Sequence, residues 1–188
     1  MLSNANDIKF DFKTKFQELL KNDSGISHLF YEIFIEGTAY IVGGFFRDFL
    51  INQTSRDLDV IVEINHDKLI KIVESLNVSF VINRHNGIKI FFKKITVDIW
   101  SIENNWAFKN ELVKLNEEDK LLSIAKGCFF NYDAVVINLH NYSYTTKFYT
   151  DFQKNNQLDI LQRSPKYKNL NPTAVALAGD DDVDAGIA

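Results

Sequence analysis

Residues 39–63 read AYIVGGFFRDFLINQTSRDLDVIVE. Two apolar β-rich runs flank a pair of glycines, an Arg-Asp pair and an Asp-Leu-Asp triplet. Strand residues two apart point to the same face. Asp57 and Asp59 therefore project together past Leu58. Side by side, two carboxylates repel, and beside apolar strands they are poorly solvated, so something must offset the cost. A divalent cation does so directly. Magnesium takes oxygen ligands and is commonly held by one or two carboxylates together with substrate phosphates.

A third carboxylate lies further on, in KKITVDIWSIE (93–103), where Asp98 interrupts a run of Ile95, Val97, Ile99 and Trp100. If that strand lies beside LDVIVE, Asp98 completes a three-acid cluster able to hold two ions, the arrangement that clamps attacking and leaving oxygens in phosphoryl transfer. The glycines supply a second element. IVGGFF reads as a strand that ends at Gly43-Gly44 and runs into a helix. Backbone without Cβ atoms approaches a phosphate closely, and free N–H groups at a helix start favour an anion. Arg47, one turn on, is placed to contact phosphate or to lock the loop through a carboxylate.

Outward from this stretch the patterning predicts a mixed α/β domain. Ile8, Phe12, Phe16 and Leu19 recur at helical spacing over residues 7–22. A second apolar helix is expected at SHLFYEIFIEG (27–37), a short one at FFRDFLIN (45–52) and an amphipathic one at HDKLIKIVESL (66–76). SFVINRHNGIKIFFKK (79–94) reads as a hairpin with Asn86-Gly87 as its two-residue turn. Strands are expected at 96–103 and 132–140, with a helix at 117–126 between them. Helices and strands in this order, with an antiparallel portion, give a mixed, partly antiparallel sheet flanked by helices.

Composition narrows the classes. The chain has 188 residues, a net charge of −4, one cysteine and 16 phenylalanines. One domain with an appendage fits that length, and a single Cys128 excludes an internal disulfide framework and reads as a buried thiol. Neither a membrane-length apolar run nor a secretory signal order is found, which points to a cytoplasmic protein. His28, His66, His85 and His140 do not pair at metal-ligand spacing and read as structural or exposed. Trp100 and Trp106 read as core. The last segment, NPTAVALAGDDDVDAGIA (171–188), turns small-residue-rich and acidic, so residues 1–165 are expected to form the domain and 166–188 a flexible tail or remnant. Its DDDVD lacks the spacing and closing Glu of a calcium loop and reads as a solvated charge run.

The joint pattern of Gly43, Gly44, Arg47, Asp48, Asp57 and Asp59 resembles motif A of the class II tRNA nucleotidyltransferase and bacterial poly(A) polymerase family, within the polymerase-β-like nucleotidyltransferase superfamily. The resemblance covers roughly residues 26–161. It implies a palm-type mixed sheet, catalytic metal binding by Asp57 and Asp59, triphosphate binding at Gly43 and Gly44, and Asp98 as the third acidic position. The implied activity is magnesium-dependent transfer of a nucleoside monophosphate from a nucleoside triphosphate to a hydroxyl, on an RNA 3′ end, tRNA-like or otherwise, on a protein, or on a small molecule. The chain departs from the family in GCFFNYDAVVINL (127–139). Gly127, Cys128 and Phe129 stand where the family carries Arg-Arg-Asp, and Asp133 stands where it carries Asn. About 27 residues follow Leu161, too few for the family's later helical domains, so an isolated catalytic head or a piece of something longer is expected. The alternative is a non-catalytic nucleotide-binding or interaction module that keeps the fold.

Overall fold

The computed structural model describes residues 5–162 and 171–173. The tail segment and its acidic run, residues 171–173 apart, lie outside these described residues.

Two helices open the chain, α1 (Ala5–Asn22) and α2 (Ser24–Glu36). Asp23 starts the second by accepting from the backbone N–H groups of Gly25 and Ile26, an N-cap worth about 1 kcal/mol. There follow β1 (Ala39–Val42), α3 (Gly44–Leu50), β2 (Asp57–Val62) and α4 (His66–Ser75). The hairpin strands β3 (Phe80–Ile82) and β4 (Ile88–Phe91) precede β5 (Thr96–Ser101). The short α5 (Trp106–Lys109), then α6 (Lys120–Gly127), β6 (Val136–Asn138), β7 (Tyr144–Thr145) and α7 (Lys147–Asn155) complete the order. The seven strands form one sheet in the order β3-β4-β5-β2-β1-β6-β7. β2 and β5 run parallel and the other pairs antiparallel, so the expected mixed sheet flanked by helices is what forms.

The alternation of side chains gives the sheet two unlike faces. Ile41, Leu58, Val60, Val62, Val97, Ile99, Ile88 and Ile90 are fully buried and belong to one core shared with α1 to α4. That core explains the abundance of phenylalanine. Phe12 lies 5.1 Å, centroid to centroid, from both Phe46 and Phe49, edge to face, and Phe16 lies 5.0 Å from Phe30. Such pairs add to the gain from burying their area. On the other face Tyr40, Ile61, Ala134 and Val136 pack against Ile124 and Ala125 of α6. The rest of this second face is where Asp57, Asp59 and Asp98 emerge.

Two expectations need correction. The hairpin does not turn on a two-residue Asn86-Gly87. Ile82 pairs with Ile88, and the Asn83 N–H donates to the Gly87 carbonyl, leaving Arg84, His85 and Asn86 as the loop. The Asn83 carboxamide oxygen accepts from the N–H groups of His85 and Gly87 at 2.8 and 2.9 Å, which closes the longer turn, and Asn86 takes the left-handed conformation at φ 66°. Gly87 serves packing instead: a Cβ there would run into the Trp100 indole. The strand expected over 132–140 is confined to Val136–Asn138, because Asn131–Asp133 winds into a 3₁₀ turn.

Candidate active site

β2 and β5 are in parallel register, with Asp59 opposite Asp98 and Asp57 opposite Thr96. Across the next antiparallel pairing Asp98 faces Lys89 of β4. Asp59, Asp98 and Lys89 therefore form one row across three strands, on the face that α1 to α4 do not cover. Leu58 and Val60, the neighbours of Asp59 in sequence, point the other way into the core. Packing of those apolar residues thus fixes where the carboxylates project.

The electrostatics follow from enclosure. Burial first, then the charges of Asp98, Asp57 and Asp133, push the Asp59 carboxyl up from 3.8 to about 7, while Lys89 pulls the other way. Asp98 is 8% exposed. Its carboxyl is raised by burial and eased by Lys89, whose ammonium lies 3.3 Å from Oδ2. Among the described residues no three His, Cys, Asp or Glu side chains stand grouped as a metal site. The donor set nonetheless suits a hard divalent cation: carboxylates projecting from one face, with an excess of negative charge that raises the Asp59 carboxyl. Asp98 would have to exchange its bond to Lys89 for the ion.

Gly43 joins β1 to α3. Its φ of 67° and ψ of −134° are suited to glycine. Its N–H donates to the Val135 carbonyl at 3.0 Å, which ties the turn to the segment before β6. A Cβ at Gly43 would stand 3.7 Å from Asp59 Oδ2, so the turn and the acid are neighbours. Gly44 differs: it has ordinary backbone angles, and a Cβ would meet only Arg47 and Ser55 at 3.6 and 4.0 Å. Arg47 braces the loop. It forms an ion pair with Asp133, reaches Asp48 at 3.1 Å and lies over the Tyr132 ring at 4.2 Å. Burial raises the Asp133 carboxyl, and Arg47 opposes that rise.

These groups open into a cleft of about 430 Å³ whose wall includes Gly43, Gly44, Arg47, Asp59 and Asp133. Asp57, at the exposed start of β2, and Asp98 share the sheet face but do not line that cavity. Several lining residues were not singled out from sequence as site residues. Asp133 appeared only as a departure from a motif. Arg84 and His85, the latter read from sequence as structural or exposed, reach the cleft from the three-residue turn. Trp100 and Trp106, read as core, are wall residues too. Only alternation along β5, which sets Trp100 on the face of Asp98, could have signalled this. Cys128 also lines the cleft, and burial pushes its thiol up, as an inert thiol requires.

Residues 39–119 match the family model of the poly A polymerase head domain. Among solved structures, an apo form of a CCA-adding enzyme superposes with a TM-score of 0.57 at 20% identity, covering 86% of this chain and 39% of that one. A CCA-adding enzyme in complex with CTP gives 0.54 at 19% identity, covering 77% and 34%. The Thermotoga maritima CCA-adding enzyme complexed with tRNA gives 0.52 at 18% identity, covering 76% and 32%. At such identities the likeness is one of fold. The chain spans about a third of the length of these proteins. No curated protein matches it. The glycine turn and the paired aspartates lie inside the segment, residues 39–119, that is similar to the poly A polymerase head domain, and the chain shares its fold with the CCA-adding enzyme structures.

Proposed function

We propose that the chain is the catalytic head of a nucleotidyltransferase that moves a nucleoside monophosphate from a nucleoside triphosphate to a hydroxyl acceptor. The observation that carries this reading is Asp59 beside the Gly43 turn in one cleft, with Asp98 opposite it in register on the same sheet face. Asp57, Asp59 and Asp98 would hold magnesium, one or two ions. Bound there, magnesium supplies charge stabilisation for the triphosphate oxygens and the leaving pyrophosphate. Gly43 and Gly44 admit the triphosphate to the backbone, and Arg47 keeps their loop in place. The acceptor oxygen bonds to the α-phosphorus, the bond from that phosphorus to the α–β bridging oxygen breaks, and pyrophosphate departs. A carboxylate of the set takes the hydroxyl proton. An RNA 3′ end, tRNA-like or otherwise, or a protein hydroxyl fits as acceptor, and cytoplasmic work goes with these partners.

A second reading, a nucleotide-binding module without turnover, is favoured by one specific contact: Lys89 already holds the Asp98 carboxylate. The experiment that separates them is incubation with magnesium, each α-labelled nucleoside triphosphate, and total RNA or protein. The catalytic reading expects label on one acceptor class, lost in Asp57→Asn and Asp59→Asn with the fold intact. Absence of incorporation with all four triphosphates, or retained turnover in both variants, would contradict it.

A further inference from the structure

The cleft has two chemically unlike halves. One holds Asp59, the Gly43 turn and the Arg47–Asp133 pair. The other is aromatic, walled by Trp100, Trp106, Phe129 and Phe130. These rings are held in place. Phe129 and Phe130 meet edge to face at 4.9 Å, and Trp106 lies 6.1 Å from Phe129. Trp100 lies against Gly87, where no Cβ fits. The neighbouring amide oxygens are engaged within the protein: Asn104 accepts from Asn86 and donates to the Ser101 hydroxyl, Asn105 accepts from the N–H of Ala107, and Asn83 accepts from the N–H groups of His85 and Gly87. Arg84 and His85 contribute from the hairpin tip, with Arg84 Nε donating to His85 Nε2 at 3.0 Å.

We propose that this aromatic half is a subsite for the nucleobase, taken by stacking and apolar contact rather than by hydrogen bonds to the base edges. The inference rests on the nucleotidyltransferase reading and adds to it how the base is held. Three observations carry it. The wall is aromatic, and every base has a π-face that stacks on such rings. The segment Gly127-Cys128-Phe129 brings no charge to the wall. The aromatic half shares one cavity with Asp59 and Asp133, and a cavity of this size suits a small ligand. Because ring area sets the affinity, the larger purines bind more tightly than pyrimidines, and the two purines bind alike.

The test is calorimetric titration of the full chain in magnesium with ATP, GTP, CTP and inorganic tripolyphosphate. ATP and GTP are expected to bind about equally and roughly tenfold more tightly than tripolyphosphate, since one stacked base is worth about that factor. Trp106→Leu and Phe129→Leu, confirmed as folded by circular dichroism, are expected to remove most of that advantage and leave tripolyphosphate binding unchanged. Trp106→Phe is expected to restore it. Equal affinity of ATP and tripolyphosphate for the unaltered protein would overturn the base subsite while leaving the phosphate half standing, and needs no variant to fold. A strong preference for one purine over the other would also overturn it, by showing edge readout. If neither ATP nor tripolyphosphate bound the unaltered protein, the nucleotidyltransferase reading itself would fall.

Discussion

At the scale of single residues, the two glycines of the motif have different roles. Gly43 sits at positive φ, where an L side chain is strained by about 1–3 kcal/mol. Gly44 has room for a methyl group. Gly43→Ala is therefore expected to lower unfolding stability by about 1–3 kcal/mol in urea denaturation, and Gly44→Ala to change it by less than about 0.5 kcal/mol. Equal losses in both would show that the turn conformation does not decide. Asp59 gives a pH signature. Its carboxyl is raised from 3.8 to about 7, so the folded chain keeps a proton between roughly pH 4 and 7 that the unfolded chain has released. Stability from this group then falls as pH rises through that window. In metal-free buffer Asp59→Asn is expected to flatten that fall and to leave the protein more stable than the parent above pH 7. An unchanged pH profile in the variant would refute the assignment.

At the scale of elements, the row Asp59–Asp98–Lys89 across β2, β5 and β4 decides how the acids behave. Lys89 is half exposed and pairs with Asp98, so it competes with any cation for that carboxylate. Lys89→Met is expected to tighten manganese binding about fivefold, on the order of 1 kcal/mol for a partly exposed charge pair, read from free manganese by electron paramagnetic resonance. Unchanged or weaker binding would show that Lys89 does not restrain the site. Much of this row was legible in sequence, because period-two alternation puts Asp57 and Asp59 on one face whatever the partner strand. That β5 lies beside β2 is only a condition in the sequence, and its parallel sense is not read there at all. Register across a crossover through α4 and the hairpin is set by packing of Leu58, Val60, Val97 and Ile99, not by local pattern. Lys89 could not be read at all, since its place opposite Asp98 depends on a turn whose length the side chain of Asn83 sets. Asp133 was likewise hidden: the 3₁₀ turn that delivers it to Arg47 interrupts a stretch whose composition reads as strand.

At the scale of the molecule, α1 to α4 seal one face of the sheet and α6 covers only part of the other. The uncovered part of that second face is where the acids, the glycine turn and the aromatic wall meet. None of the helices among the described residues is long and apolar enough to cross a membrane. The central claim, that the carboxylates and the Gly43 turn form one site for a metal-bound nucleotide, is tested most directly by thermal unfolding with magnesium alone, nucleoside triphosphate alone and both together. A ligand that binds only the folded chain raises its melting temperature by mass action. The account predicts a rise of several degrees that needs both components and disappears in Asp59→Asn. A rise that nucleotide gives without magnesium, or one that Asp59→Asn leaves intact, would contradict it.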